Sequence, residues 1–415
     1  MTDPAPVLTS NAGGQPDTAT ARTPRRGRRL KIALILFAVA LAAEGATRLH
    51  QYLKMGSLPT YVPRHLVDFY RFYRVNPEFR TRTIRVNHAG FRNDEEITRD
   101  KPANVVRIVM MGGSTVWGED ASGSPVGTID NRDTIAAHLE TVLNERAASR
   151  GAKLRIQVIN AGVVGYMLFQ EEIYFSTYIS EFKPDVVIAM DGHNDLDALQ
   201  LGVPLYRHRN DSPFDRELNR PVAFDLYREV LRYAENKSLL VRKTSTRVAE
   251  WMNHIALSAL QSKFDHPPQE EQIQRWLDAY SSTVRRFDAS ARIANAPILF
   301  TIQLEVAGES RKRLTPDEAE MHDHTYRYYR WLHTTMRDRL IGRMRDLKAH
   351  NGIWFEDVTD AFSTEHGQAY IDYTHLSSLG AATMARRLAS LVEPEVFCDA
   401  AAVHIEACSL RRMSR

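Results

Sequence analysis

The chain has 415 residues, 43% hydrophobic and 25% charged, which is globular composition and excludes a disordered, collagenous or disulfide-scaffold chain and a multi-span membrane protein. Its 54 Lys and Arg against 51 Asp and Glu give a formal charge of +3, but the surplus is local. In the first 31 residues Arg22, Arg25, Arg26, Arg28, Arg29 and Lys31 face only Asp3 and Asp17, a net of +4, so the rest of the chain sums to −1. A nucleic-acid binder needs a basic face on its folded part, and no nucleic-acid partner is expected here.

Residues 1–29 read as a disordered basic tail, rich in Pro, Thr, Ala and Gly without an apolar period. Residues 30–50 follow as a membrane anchor. Ile32–Ala43 is uninterrupted apolar sequence, and Lys31 and Arg48 can snorkel to the two interfaces of a bilayer. Basic residues ahead of the apolar run place the N-terminus in the cytoplasm, and the remainder in the periplasm or on the extracellular side of the inner membrane. A signal peptide cleaved near Ala40-Leu41-Ala42, giving a secreted protein, is the alternative. Residues 51–104 are a connecting region with one short strand expected over Arg82–Asn87.

Strand and helix signals then alternate. Val105–Met111, Ile156–Ile159, Pro184–Met190, Pro297–Gln303 and Ile353–Val358 are apolar, β-branched runs. Continuous rather than alternating apolarity predicts strands buried on both faces. Helical spacing lies between them over Asp133–Ala148, Gln170–Phe182, Pro316–His350 and Ser378–Val392. Strands separated by helices imply βαβ units. The fold class is therefore α/β, three layers (α/β/α) around a five-stranded parallel sheet of flavodoxin-like type, behind the N-terminal transmembrane helix. One domain spans residues 105–395, with an insertion at about 200–290 and a tail at 396–415. The tail carries Cys398 and Cys408, paired or free. His322-Asp323-His324 reads as solvated helix surface, because residues two apart do not share a helix face.

Parallel sheets build their sites at the carboxyl ends of strands. Gly112-Gly113-Ser114-Thr115 follows the first strand, and Asn160-Ala161-Gly162-Val163-Val164-Gly165-Tyr166 the second. Gly192-His193-Asn194-Asp195 follows the third, and Asp372-Tyr373-Thr374-His375 lies beyond the fifth. Singly, each suits a turn or a helix cap; together they supply the parts of serine acyl transfer. Ser114 needs a base, and an imidazole, which titrates near neutrality, can take and return its proton. His375 is that base, oriented by Asp372. Ser114 and Gly165 through backbone N–H, and Asn194 through its amide, form the oxyanion hole. His193 is read as pointing away while Asn194 points in. No cofactor and no metal are called for.

The four blocks, in this order, resemble the SGNH (GDSL-like) hydrolase family over residues 105–200 and 295–392. The resemblance implies Ser114 as nucleophile, His375 and Asp372 as its partners, and Gly165 and Asn194 as oxyanion donors. The first block departs from the family's Gly-Asp-Ser-Leu, and no Gly-x-Ser-x-Gly elbow surrounds Ser114. The apolar helix followed by Glu44 and Arg48, with Asn87-His88-Ala89-Gly90-Phe91-Arg92 ahead of the first block, is similar to the membrane-anchored bacterial envelope subgroup. That implies an esterase acting on an acyl ester, an O-acylated glycan, outside the membrane. The alternatives are an O-acyltransferase with a sugar hydroxyl as acceptor, and a non-catalytic envelope component that binds glycan or an assembly partner.

Overall fold

The computed structural model describes residues 25–55, 62–118, 129–200, 234–248, 268–325 and 330–397, apart from a few single positions inside these ranges. The tail cysteines and residues 201–233 and 249–267 of the insertion lie outside the described residues. The chain divides into two compact units, residues 1–59 with 229–248, and residues 60–228 with 249–415.

In the first unit, α1 (Arg25–Met55) includes Lys31–His50, which is long and apolar enough to cross a membrane. A signal sequence meets the same description. Glu44 lies one turn before Arg48 and accepts from its Nε at 2.6 Å. The same carboxylate accepts from Ser238 Oγ at 2.7 Å and from Leu240 N at 2.8 Å, while Arg48 donates to the Lys237 carbonyl at 2.8 Å. Glu44 thus caps the start of the helical segment after Ser238, satisfying N–H groups that a helix leaves open.

The second unit is an α/β sandwich. β3 (Val105–Gly112), β4 (Arg155–Asn160), β5 (Val186–Asp191) and β6 (Ile298–Ile302) form a parallel sheet in the order β4-β3-β5-β6. Every residue of β3, β5 and β6 is buried, as continuous apolar runs require. Alternate side chains feed two cores. Val109, Met111, Val187 and Phe300 meet α4 (Leu168–Thr177), α6 (Glu270–Ile293) and α8 (Arg337–Asn351) on one face. Ile108, Met110, Val158, Ile188 and Leu299 meet α3 (Ile135–Ser149) and α9 (Ser378–Phe397) on the other.

Four expectations are corrected. The five-stranded sheet has four strands among the described residues. Ile353–Val358 pairs only through a bridge between Phe300 and Phe355, hemmed in by Gly352 at φ +65° and by the Asp357 turn, whose Oδ1 accepts from Thr359 N. The strand expected at Arg82–Asn87 is a single bridge, and its region holds instead an antiparallel hairpin of β1 (His65–Asp68) and β2 (Phe72–Val75). The helix expected over Pro316–His350 is broken. Its first piece, α7 (Pro316–Asp323), starts on a Thr315/Glu318 capping box and ends where Arg330 donates to the His322 carbonyl at 2.6 Å. A π-helical turn, Leu332–Met336, then leads into α8. Finally, residues 270–293, at the end of the stretch read as insertion, form α6, which buries Ile273, Trp276, Tyr280, Val284 and Phe287 in the core.

Candidate active site

β3, β5 and their neighbours fix where the chemistry can sit. The chain leaves β3 toward β4 on one side and returns to β5 on the other, so loops part at the carboxyl ends of these two strands and leave a crevice. Ser114 follows β3 as the first residue of the one-turn helix α2 (Ser114–Trp117), and Asn194 follows β5 in α5 (His193–Gln200). Gly112, Gly113 and Gly162 are required by close approach here. A Cβ on Gly113 would lie 2.6 Å from Asn194 Nδ2, and one on Gly162 would lie 2.4 Å from Trp117 N.

Ser114, His375 and Asp372 come together. Ser114 Oγ lies 2.7 Å from His375 Nε2, and His375 Nδ1 lies 2.9 Å from Asp372 Oδ2. Asp372 Oδ1 also accepts the backbone N–H of Thr374 and of His375, each at 2.8 Å. Burial alone would raise the Asp372 carboxyl, but the imidazole and these amides outweigh it and hold it below the usual carboxylate range. It is therefore an anion at neutral pH, able to accept from Nδ1–H and leave Nε2 facing the serine.

Asn194 donates from Nδ2 to the Tyr166 carbonyl at 2.7 Å, which sets its amide beside Gly113 and leaves a second amide proton. Gly165 sits just before Tyr166 at φ +80°, a left-handed turn position where a side chain would strain. The hairpin supports that turn: Tyr73 donates its hydroxyl to the Val164 carbonyl at 2.9 Å. His193 turns the other way, its Nδ1 2.9 Å from Glu305 Oε1.

Several supporting groups had no role assigned from the sequence, although Arg92 and Asn160 stand in the motifs quoted above. Arg92 is 1% exposed and donates to the carbonyls of Trp117 and Gly118 at 2.8 and 2.6 Å and to Ile129 at 2.6 Å, binding the end of α2 to the connecting region. Asn160 donates to the Val116 carbonyl at 3.0 Å, a second hold on the same turn. Gln303 and Glu305 lie just beyond β6, the one strand end passed over in collecting candidates. Gln303 donates to Thr374 Oγ1 at 2.7 Å, inside the loop that carries Asp372 and His375.

No family profile matches the chain, and no curated protein matches it. Among solved structures it is similar to an acetylxylan esterase from Geobacillus stearothermophilus, at 16% identity and TM-score 0.37 over 69% of this chain and 94% of that one. It is also similar to the acetyl xylan esterase AlAXEase, at 12% identity and TM-score 0.37 over 69% and 100%. A third likeness is to LAE5, an alpha/beta hydrolase enzyme from the metagenome of Lake Arreo, Spain, at 15% identity and TM-score 0.36 over 69% and 95%.

Proposed function

We propose that the chain is a serine-dependent acyl esterase of SGNH type, held at the outer face of the cytoplasmic membrane by α1 and acting on O-acyl groups of envelope polysaccharide. The observation that carries the chemistry is the continuous hydrogen-bonded line from Ser114 Oγ through His375 to Asp372. The membrane placement is supported by the apolar Lys31–His50 helix and the basic cluster before it. The glycan substrate follows from the resemblance in block order and N-terminal layout.

In this reading Ser114 Oγ attacks the ester carbonyl as His375 Nε2 takes its proton. The carbonyl oxygen becomes an oxyanion facing the free proton of Asn194 Nδ2 and the backbone N–H groups of Ser114 and Gly165. The imidazolium is stabilised by Asp372 and returns the proton to the leaving sugar oxygen, leaving an acyl-serine. A water, deprotonated by His375, then releases the carboxylic acid and restores Ser114.

The test uses the full-length chain in detergent with p-nitrophenyl acetate and a fluorophosphonate probe. Ser114→Ala and His375→Ala are each expected to lower kcat by about 10³-fold or more, with labelling lost in Ser114→Ala. Turnover equal in all three proteins, without labelling, overturns the reading. Incubation with acetylated and free glycan then separates hydrolysis from transfer: acetate released to water supports the esterase, and acetyl appearing on the free glycan supports an O-acyltransferase.

A further inference from the structure

Behind the oxyanion donor lie four ionisable side chains that the reaction above does not use. The rings of His193 and His333 stack with centroids 5.0 Å apart, 24° from parallel. Glu305 spans one edge of the stack, Oε1 2.9 Å from His193 Nδ1 and Oε2 2.8 Å from His333 Nδ1. Asp197 spans the opposite edge, Oδ2 3.8 Å from His193 Nε2 and Oδ1 3.5 Å from His333 Nε2. All four are buried, and His333 is 0% exposed.

Two imidazoles and a carboxylate are also a zinc-ligand set, and His193, His333 and Glu305 offer atoms within 4.8 Å of one another. A ligand nitrogen, however, presents its lone pair in the plane of its ring. Lone pairs of two stacked, nearly parallel rings run side by side instead of converging on one ion. His193 Nδ1 is hydrogen-bonded to one oxygen of Glu305 and His333 Nδ1 faces the other, while Asp197 stands at ion-pair distance from both rings.

The frame touches both halves of the catalytic machinery. His193 directly precedes Asn194. Glu305 is followed by Val306, whose N–H donates to the Tyr373 carbonyl at 3.1 Å, and is preceded two residues back by Gln303, bound to Thr374. Tyr373 and Thr374 lie between Asp372 and His375. His333 enters from the π-helical turn Leu332–Met336, a local insertion that recurs at functional sites.

We propose that His193, Asp197, Glu305 and His333 form a proton-holding frame that fixes the Asn194 amide against the Asp372–His375 loop, with Glu305 and His333 as positioning residues for acyl transfer. This rests on the serine-esterase reading. Burial alone would lower the His333 imidazole, but Glu305 and then Asp197 outweigh it and lift it to about 9. Burial would raise Glu305, and the pull of His333 and His193 holds it far below the usual range instead. Among the described residues Tyr373, Arg337 and Tyr370 flank the frame, the Tyr373 ring 6.3 Å from that of His193. The Arg337 guanidinium packs on Gly308 and reaches Asp338 at 3.2 Å, and the Tyr370 hydroxyl donates to Glu309 at 3.0 Å. The frame therefore keeps its proton at neutral pH and loses it as pH rises through about 9, so kcat falls on that alkaline limb.

The experiment compares pH profiles of kcat and KM in the full-length wild type, Glu305→Gln, Glu305→Asp and His333→Gln, with the uncatalysed rate subtracted and folding checked by circular dichroism. Glu305→Gln and His333→Gln are expected to lower kcat about tenfold or more with KM within about twofold, the mark of lost transition-state positioning. The alkaline limb moves down by about one pH unit in Glu305→Gln, stays in place in Glu305→Asp and disappears in His333→Gln. Should a variant unfold, Asp197→Asn, which removes the longer edge of the frame, gives the same readout. Superposable profiles overturn the frame, as does a stoichiometric divalent metal in the purified protein whose removal by chelator abolishes turnover. Ser114→Ala is run alongside. Turnover that survives it overturns the esterase reading and the positioning role with it; turnover that needs Ser114 but is indifferent to the frame overturns the frame alone.

Discussion

Asn194 shows how little slack a single side chain has at this site. One amide proton is held by the Tyr166 carbonyl at 2.7 Å, and the amide nitrogen would lie 2.6 Å from a Cβ at Gly113. The orientation is thus set before substrate arrives, which is what makes a fixed donor effective against charge that develops only in the transition state. Asn194→Ala is expected to lower kcat by about 10²–10³ with a small change in KM, read from initial rates with p-nitrophenyl acetate. Asn194→Asp, which replaces the donor by an anion, should be at least as damaging. An Asn194→Ala enzyme with wild-type kcat would remove the residue from the oxyanion hole.

At the scale of elements, the loop that carries Asp372 and His375 has little regular structure of its own and is held by its neighbours. Glu318 of α7 is the anchor. Its Oε1 accepts the backbone N–H of Ala369 at 2.7 Å and of Tyr370 at 3.1 Å, and its Oε2 accepts Lys312 Nζ at 2.7 Å, with both side chains fully buried. Removing one partner leaves a buried charge and two amides unmatched. Glu318→Ala is expected to cost about 3–5 kcal/mol in urea unfolding at neutral pH, and a Lys312→Met, Glu318→Gln double variant to cost less than the single loss. The same scale explains which elements were legible. β3, β5 and β6 declare themselves as mainly apolar runs because every residue in them is buried, and β4 as the shorter Ile156–Ile159 stretch around Gln157. The hairpin does not, since β1 and β2 are four residues each and its turn depends on Phe72 at φ +70°, a conformation no apolar pattern encodes. In α6 the stripe Ile273, Trp276, Leu277, Tyr280, Val284 and Phe287 has helical spacing, but the surrounding Glu270, Glu271, Arg275, Arg285 and Arg286 give it the look of a solvated insertion.

For the molecule as a whole, the sheet's carboxyl end gathers more acid than the Ser114–His375–Asp372 line contains. Asp191 ends β5, Glu171 faces it from α4, and Asp195 follows Asn194, all buried. Burial pushes Asp191 up to about 7, and burial together with the neighbouring carboxyls raises Glu171 and Asp195 well above the usual range. The folded state thus holds protons that the unfolded chain releases at its ordinary carboxylate values. Their contribution to stability is present in mild acid and is lost as pH rises through about 7, on the order of 1 kcal/mol per pH unit for each proton concerned. Glu171→Gln, which keeps a hydrogen-bond donor beside Asp191, should flatten that slope in melts taken between about pH 5 and 8; an unchanged slope would place the protons elsewhere. Block order made the candidate residues visible in the sequence, because strand ends are adjacent in a parallel sheet. Arg92 stands in a sequence motif without an assigned role, and Glu305 and His333 were hidden. Their partners, carbonyls for Arg92, imidazoles for Glu305 and a carboxylate for His333, are brought close only by the tertiary fold.

Ser114 and His375 stand 261 positions apart, and that separation has a consequence in time. The hydroxyl is synthesised long before its base. At about 5–20 residues per second, translation alone leaves an interval on the order of ten to fifty seconds in which the serine has no imidazole to activate it. Ser114 and His375 can meet only once the loop ahead of α9 lies against the start of α2. On the proposed mechanism, a chain that has not yet reached His375 is latent, its serine without the imidazole that would activate it.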